Sequence, residues 1–173
     1  MPVVPFESLP DDARVWVFGS DRPVTGPAAE RLLGLVDAFL AQWQAHGAPL
    51  RCARDWRENR FLTVAVDQST AGASGCSIDG LFRALKAAEA ELGSSLVGGG
   101  RVFYRDATGA VVATTREIFG ELAAAGAVGP QTSVFDTSLT ALGDWRRRFE
   151  VESARSWHSD LLARSGARGG AAE

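Results

Sequence analysis

The sequence predicts an α+β fold, because short apolar runs typical of strands alternate with helical patterns. Residues 14–18 and 61–66 are rich in β-branched and aromatic side chains, as buried strands are. Between residues 28 and 46, apolar side chains recur with the period of a helix. The chain has 173 residues, of which 46% are hydrophobic and 23% charged, and such a composition is ordinary for a globular protein.

The first block of the chain, residues 1–97, predicts the order β-α-β-β-α. After the helix over 28–46, residues 50–56 and 61–66 predict a hairpin across a polar turn. The second strand of this hairpin is almost continuously apolar and predicts a central strand, whereas the first carries arginines suited to an edge. A second helix is predicted from about Ile78 to Leu92. With one further strand, this order matches a ferredoxin-like plait.

A glycine- and serine-rich stretch over residues 93–100 predicts a linker to a second, smaller block over 98–162. That block predicts the order β-β-α-β, beginning with a hairpin around the turn Asp106-Ala107-Thr108-Gly109. Thr114 and Glu117 predict a capping box for its helix, which ends at Gly126. A strand is predicted over residues 132–136, and a last short strand, over 149–151, or a helix follows it. The polar, small-residue composition of 163–173 predicts a disordered tail.

Charge and composition exclude several classes of function. A net charge of −3 argues against a dedicated nucleic-acid binder, which usually has a basic face. The single lysine, Lys86, follows Leu85 within a helical pattern, so the Gly-Lys-Ser/Thr step of a phosphate-binding loop is absent. Two cysteines, Cys52 and Cys76, are too few for a disulfide scaffold or a four-cysteine zinc site. Neither a signal peptide nor a membrane-inserting run of about 20 apolar residues is visible, so a soluble, cytoplasmic protein is expected.

Cys76 is the candidate nucleophile, since it lies in a Gly/Ser loop just before a predicted helix. A helix N-terminus favours the thiolate, and catalysis also needs a base, for which His158 is a candidate. The alternative is a cysteine packed against the core. Ser74, Gly75 and Ser77 of the same loop present backbone N–H groups suited to a small anionic ligand. Simple capping of the helix by Ser77 explains the same pattern.

Asp67 and Asp79 are candidates for acid–base work as a pair. Asp67 follows the central strand, where binding residues often lie, and Asp79 falls in the first turn of the next predicted helix. An aspartate at a strand end is also a common turn former. No cluster of histidine and cysteine shows metal-ligand spacing, so neither a metal nor a cofactor is expected.

Two tryptophans are candidates for contact with a partner protein. Trp145 precedes three arginines and Trp157 precedes His158, and both Trp and Arg are enriched at interfaces. The same residues could stack on nucleic-acid bases, but the acidic balance of the chain disfavours that function.

Two family resemblances bear on these patterns. From Arg14-Val15-Trp16-Val17 through Ser74-Gly75-Cys76-Ser77-Ile78-Asp79 to Ser156-Trp157-His158, the chain resembles a family of small uncharacterised bacterial proteins. Some of them carry the genome label "ABC transporter ATPase", which the missing phosphate-binding loop does not support. This resemblance implies no activity.

The second resemblance covers roughly residues 101–157. In the order strand, Asp-x-x-Gly turn, strand, helix, this part is similar to GYF-like adaptor domains. Gly126, Val128, Thr132 and Val134 occupy the Gly-x-(Ile/Val)-x-x-x-Thr-x-Val turn of that family, with Trp145 or Trp157 as the later aromatic residue. The Gly-Pro-aromatic step before the helix and the Gly-Tyr-Phe sequence are absent. The resemblance implies a protein-interaction module.

The sequence contains no complete active-site constellation, and the function it favours is therefore non-enzymatic. We expect a cytoplasmic protein that binds another protein or a small ligand. The alternative is an enzyme that uses Cys76, assisted by Asp67, Asp79 or His158.

Overall fold

The computed structural model of the chain describes residues 3–45, 47–69 and 75–168, including the side chains of all of these except 45, 75–77 and 165–168. Its helices are α1 (Gly26–Gln42), α2 (Gly75–Leu92), α3 (Arg116–Ala124), α4 (Leu142–Arg148) and α5 (Ser159–Arg168). Its strands are β1 (Arg14–Gly19), β2 (Gln44–Ala45), β3 (Ala48–Pro49), β4 (Cys52–Arg57), β5 (Phe61–Val66), β6 (Arg101–Arg105), β7 (Val111–Thr115), β8 (Ser133–Phe135) and β9 (Glu150–Glu152).

The chain divides into two compact units. The first consists of Met1–Val97 with Thr137–Arg146, and the second of Gly98–Asp136 with Arg147–Glu173. Helices accompany an antiparallel sheet in each, which confirms the predicted α+β class. Residues 137–146 belong to the first unit, although they follow the helix of the second along the chain.

The first unit is built on an antiparallel sheet with the strand order β1-β5-β4. All residues of the central strand β5 are buried, as its continuous apolar sequence predicts. Its antiparallel pairing with β4 confirms the predicted hairpin. The apolar sides of α1 and α2 pack against this sheet, and the core contains Leu32, Val36, Leu40, Leu62, Val64, Val66, Leu81 and Leu85.

Helix α1 ends at Gln42, earlier than the predicted end near residue 46. Trp43 takes an extended conformation, and its carbonyl accepts a hydrogen bond from Leu50 N at 3.1 Å. The ring of Trp43 is buried beside that of Trp16, with 5.9 Å between the ring centroids. The apolar pattern therefore continues past the helix end, and for this reason periodicity alone overestimates the length of the helix.

The expected plait is incomplete. Strands β1, β5 and β4 have the order of three plait strands, but the strand that follows α2 belongs to the sheet of the second unit. The outer edge of β1 is instead paired with residues 140–142: Val15 N donates to Thr140 O and Leu142 N to Ala13 O, both at 2.9 Å. Next to this pairing, Gly143 N donates to Asp11 O at 2.8 Å. A side chain at position 143 would clash with Asp11, because its Cβ would lie 2.9 Å from the Cβ of Asp11.

The predicted linker is anchored over residues 94–97. Asp21 Oδ1 accepts hydrogen bonds from Ser94 Oγ at 2.9 Å and Ser95 N at 2.8 Å. Glu89 Oε1 accepts from the backbone N–H groups of Leu96 at 2.8 Å and Val97 at 2.7 Å. Composition predicts a flexible segment here, and that prediction is wrong for these four residues, because the carboxylates of Asp21 and Glu89 bind the Ser94 hydroxyl and the backbone N–H groups of the other three.

Replacing Glu89 with alanine is expected to lower the free energy of unfolding by about 1–3 kcal/mol, because the buried N–H of Leu96 would lose its acceptor. Glu89→Gln keeps an acceptor oxygen and should cost less. The matched control is Glu91→Ala, at an exposed position of the same helix, with an expected change within about 0.5 kcal/mol. Urea unfolding followed by circular dichroism gives these values. Equal losses in the Glu89→Ala and Glu91→Ala variants would contradict the anchoring role.

The second unit contains an antiparallel sheet with the strand order β7-β6-β8-β9. The predicted hairpin of β6 and β7 is confirmed, and its turn closes where Gly109 N donates to Asp106 O at 3.0 Å. Gly109 has a φ of 85°, a conformation that favours glycine. The core of this unit includes Val102, Tyr104, Phe119, Val128, Val134 and Leu161.

The predicted start of helix α3 and the predicted start of the disordered tail both need correction. Helix α3 is capped by Thr115, whose Oγ1 accepts from Ile118 N at 3.2 Å, so the predicted cap at Thr114 is wrong by one residue. Strand β7 continues through Thr115, which is still paired with Arg101, so the helix cannot begin before Arg116. Helix α5 continues to Arg168, past residue 163 where the disordered tail was predicted. Residues 169–173 lie outside the described part of the chain.

Candidate binding cleft between two helices

Helices α3 and α5 pack against each other in the second unit. The sequence of α3 directs Phe119, Leu122 and Ala123 toward the core, at the spacing of one helix face. Helix α5 contributes Leu161, which is buried, and Leu162, which is partly buried. These contacts fix the two helices on the same core, and they leave an adjoining face of α3 open.

A cleft of about 360 Å³ lies along this open face. We call it the α3–α5 cleft and define it by its lining residues Arg116, Glu117, Gly120, Glu121, Ala124, Leu161 and Arg164. Gly120 and Ala124, the smallest of these residues, are four residues apart on α3, and together with Leu161 of α5 they form the apolar centre of the cleft. Its volume is within the range of clefts that accept small ligands or single side chains of a partner.

Charged groups surround this apolar centre. Within the described residues, the side chains of Glu117, Glu121 and Arg164 make no hydrogen bond and no ion pair. Their charges are therefore available to a molecule that enters the cleft. An apolar centre with a polar rim is the usual organisation of a protein-binding surface.

Arg116 is held in place by a stack of rings. Its guanidinium carbon lies 4.8 Å from the centroid of the Trp157 ring, as in a cation–π contact. On the other side, Trp157 stacks on His158 with 3.9 Å between centroids and 25° between planes. Phe119 meets His158 edge to face at 6.2 Å, so the stack ends in the core.

His158, the predicted base, is completely buried in this stack. Ser156 Oγ lies 2.7 Å from His158 Nδ1 and 3.3 Å from Ser153 O. His158 Nε2 has no hydrogen-bond partner within the described residues. Burial lowers the pKa of His158 from 6.5 to about 4; Asp136 acts in the opposite direction, and Arg116 adds to the lowering. The imidazole of His158 is therefore neutral at pH 7, and it packs as a neutral ring against Trp157.

A second cleft in the same unit is wider, at about 860 Å³. It is lined by Arg105, by the β6–β7 turn and by residues 126–133, which include most of the turn that resembles GYF-like domains. Its charged groups already have partners: Arg105 Nη2 binds Glu150 Oε2 at 3.0 Å, and Asp106 Oδ1 accepts from Thr108 N at 2.8 Å. This cleft offers less unpaired charge to a ligand than the α3–α5 cleft does.

The structure places Asp67 in a local turn. Its Oδ1 accepts from Ser69 N at 2.9 Å, and its Oδ2 pairs with Arg51 Nη1 at 3.1 Å. The hydrogen bonds from Ser69, followed by the charge of Arg51, hold the pKa of this carboxyl below its usual value. Asp79 is exposed on α2, and no hydrogen bond joins it to Asp67 in the described chain. Acid–base work by these two aspartates stays a prediction.

The Cys76 loop is only partly described. Helix α2 begins at Gly75, three residues before the predicted start at Ile78. Cys76 and Ser77 therefore belong to its first turn. Ser74 and the side chains of residues 75–77 lie outside the described part. Activation of the thiol and anion binding by this loop therefore stay predictions. His158 belongs to the second unit and Cys76 to the first.

The two candidate interaction tryptophans have different surroundings. Trp145 is buried in the first unit, where it meets Phe6 edge to face at 5.1 Å and Arg57 at 4.4 Å. Trp157 is partly buried and supports Arg116 at the α3–α5 cleft. Only Trp157 is therefore connected to the candidate site.

Among the residues that the structure describes, no helix is both long and apolar enough to cross a membrane. The same residues include no group of three or more histidine, cysteine, aspartate or glutamate side chains placed to hold a metal ion.

Sequence reasoning did not identify Arg116, Gly120, Ala124 or Arg164 as site residues. A signal was present, because Arg116, Gly120 and Ala124 follow each other at intervals of four on one face of the predicted helix. Small residues at such a spacing indicate a face that something can approach closely. Comparison of the chain with protein-family models, with curated proteins and with solved structures finds no match.

Proposed function

We propose that the second unit is a cytoplasmic peptide-binding module that holds a short segment of a partner protein in the α3–α5 cleft. The observation that carries this proposal is the apolar centre over Leu161, bordered by charged side chains that make no ion pair within the described residues. A partner side chain that fills the space above Gly120 and Ala124 would bury apolar surface, and the rim would select its neighbours.

Two further points favour binding over catalysis in this unit. The candidate base His158 is buried, and its lowered pKa keeps it neutral, so it supports a neighbouring ring rather than meeting a substrate. The resemblance of residues 101–157 to GYF-like adaptor domains also supports the proposal, since the order strand, strand, helix, strand that it implies is present in β6, β7, α3 and β8, before α4.

The experiment is selection of 12-residue peptides from a displayed random library on the immobilised full-length protein. Dissociation constants of the synthetic peptides are then measured by fluorescence anisotropy. Ala124→Leu fills the cleft and is expected to weaken binding at least tenfold. Ala125→Leu is the matched control, because the neighbouring residue is exposed and does not line the cleft, and its affinity should equal that of the wild type.

Circular dichroism of both variants establishes that they are folded, which is expected because positions 124 and 125 are exposed. The proposal is wrong if the selected peptides bind the Ala124→Leu variant as tightly as the wild type, or if the library yields no peptide that binds.

A further inference from the structure

We infer that Arg116 recognises a carboxylate of the bound segment, so that the partner presents an acidic residue beside the apolar side chain that fills the α3–α5 cleft. This inference rests on the proposed function, since it names the chemistry of the occupant of the same cleft.

The guanidinium of Arg116 is fixed in position without using its hydrogen-bond donors. It lies over the face of Trp157, and Trp157 is itself stacked on the buried His158. Within the described residues, Arg116 makes no side-chain hydrogen bond and no ion pair. A cation–π contact with a ring provides no hydrogen-bond acceptor oxygen, so the N–H groups of the guanidinium remain available to an acceptor.

A carboxylate is the group that these donors match best. The planar guanidinium presents parallel N–H groups that bind both oxygens of a carboxylate, and such charge-assisted pairs are stronger than neutral hydrogen bonds. Because the stack already orders the long side chain of Arg116, less conformational entropy is lost when the pair forms. The positive end of the α3 dipole, at which Arg116 is the first helical residue, adds to the attraction.

The other charges of the cleft define the rest of the segment. Arg164 on α5 provides a second positive charge, whereas Glu117 and Glu121 are negative and would repel an acidic residue placed against them. An acidic residue is thus accepted at Arg116 and rejected next to the glutamates. The bound segment should therefore combine one acidic residue with an apolar neighbour above Gly120 and Ala124, in a defined direction.

The test uses the full-length protein and the tightest peptide from the displayed library. Arg116→Gln and replacement of the peptide's Asp or Glu by Asn or Gln are each expected to weaken binding about tenfold or more. The two changes together should weaken it hardly more than either alone, because both remove the same pair. Arg83→Gln, at an exposed site on α2, is the matched control and should have no effect.

If Arg116 had only a structural role, the effect of Arg116→Gln would not depend on the peptide's acidic residue. Because lysine keeps the positive charge, Arg116→Lys should bind more tightly than Arg116→Gln and less tightly than the wild type. The inference is overturned if the selected peptides lack acidic residues, or if Arg116→Gln binds like the wild type while Ala124→Leu does not. In the second case the proposed function stands. If Ala124→Leu also binds normally, the proposed function itself fails.

Discussion

Replacing Phe119 with alanine is expected to lower the free energy of unfolding by about 3–5 kcal/mol, which is the typical cost of removing a buried phenylalanine ring. Phe119 is completely buried, and its ring meets those of Tyr104 at 5.5 Å and His158 at 6.2 Å. Its removal would leave a cavity under both the sheet and the ring stack that holds Arg116. Urea unfolding followed by circular dichroism measures the loss.

The control for this change is an alanine variant of Ile118, the residue that precedes Phe119 on α3. Ile118 is 47% exposed, so Ile118→Ala should change the stability by less than about 0.5 kcal/mol. Phe119→Leu keeps most of the apolar volume and should fall between the two alanine variants. Similar losses for Ile118→Ala and Phe119→Ala would contradict the assignment of Phe119 to the core.

Acidification is expected to destabilise the protein through His158. The pKa of this group is 6.5 in the unfolded chain and about 4 in the folded one, because burial disfavours the charged ring. Between these values the unfolded state binds the proton more readily, so the stabilisation is complete above pH 6.5 and is lost as the pH falls toward 4. The contribution of His158 to this loss is about 3 kcal/mol.

Comparison with His158→Gln separates this contribution from that of the carboxylates. Glutamine does not titrate, so the stability advantage of the wild type over this variant should shrink by about 3 kcal/mol between pH 7 and pH 4. Free energies of unfolding from urea titrations at a series of pH values provide the comparison. Parallel curves for the two proteins over that interval would show that the pKa of His158 is the same in the folded and unfolded chain, and would contradict its burial as a neutral ring.

Local patterns predicted much of the fold, and non-local contacts account for the errors. The continuous apolar sequence of β5 predicted its central place, because such a run is stable only when both faces are covered. The edge of β1 is paired with residues 140–142, which are more than a hundred positions away and have no strand pattern of their own. Glycine and serine predicted a linker over 93–100, but the carboxylate of Asp21, which is 74 positions from Ser95, orders part of it, and Glu89 of the preceding helix adds to this.

In the candidate site, too, local patterns were informative and contacts between elements were not predicted. Trp157 was identified as a candidate because tryptophan is common at interfaces. Its contact with Arg116 could not be predicted from the sequence. The cleft itself depends on the packing of α5 against α3, and α5 was assigned in part to a disordered tail because its sequence is polar and rich in small residues. A cleft formed by two helices cannot be found in a sequence when one of the helices is not recognised.

The most direct test of peptide binding in the α3–α5 cleft is the titration of a selected peptide into ¹⁵N-labelled protein, with the amide shifts followed by NMR. Concerted shifts at Gly120, Ala124 and Leu161, with little change at Gly109 and Gly129 in the wider cleft, are the predicted result. The opposite pattern, with shifts confined to residues 105–109 and 126–133, would place binding in the wider cleft and contradict the proposal.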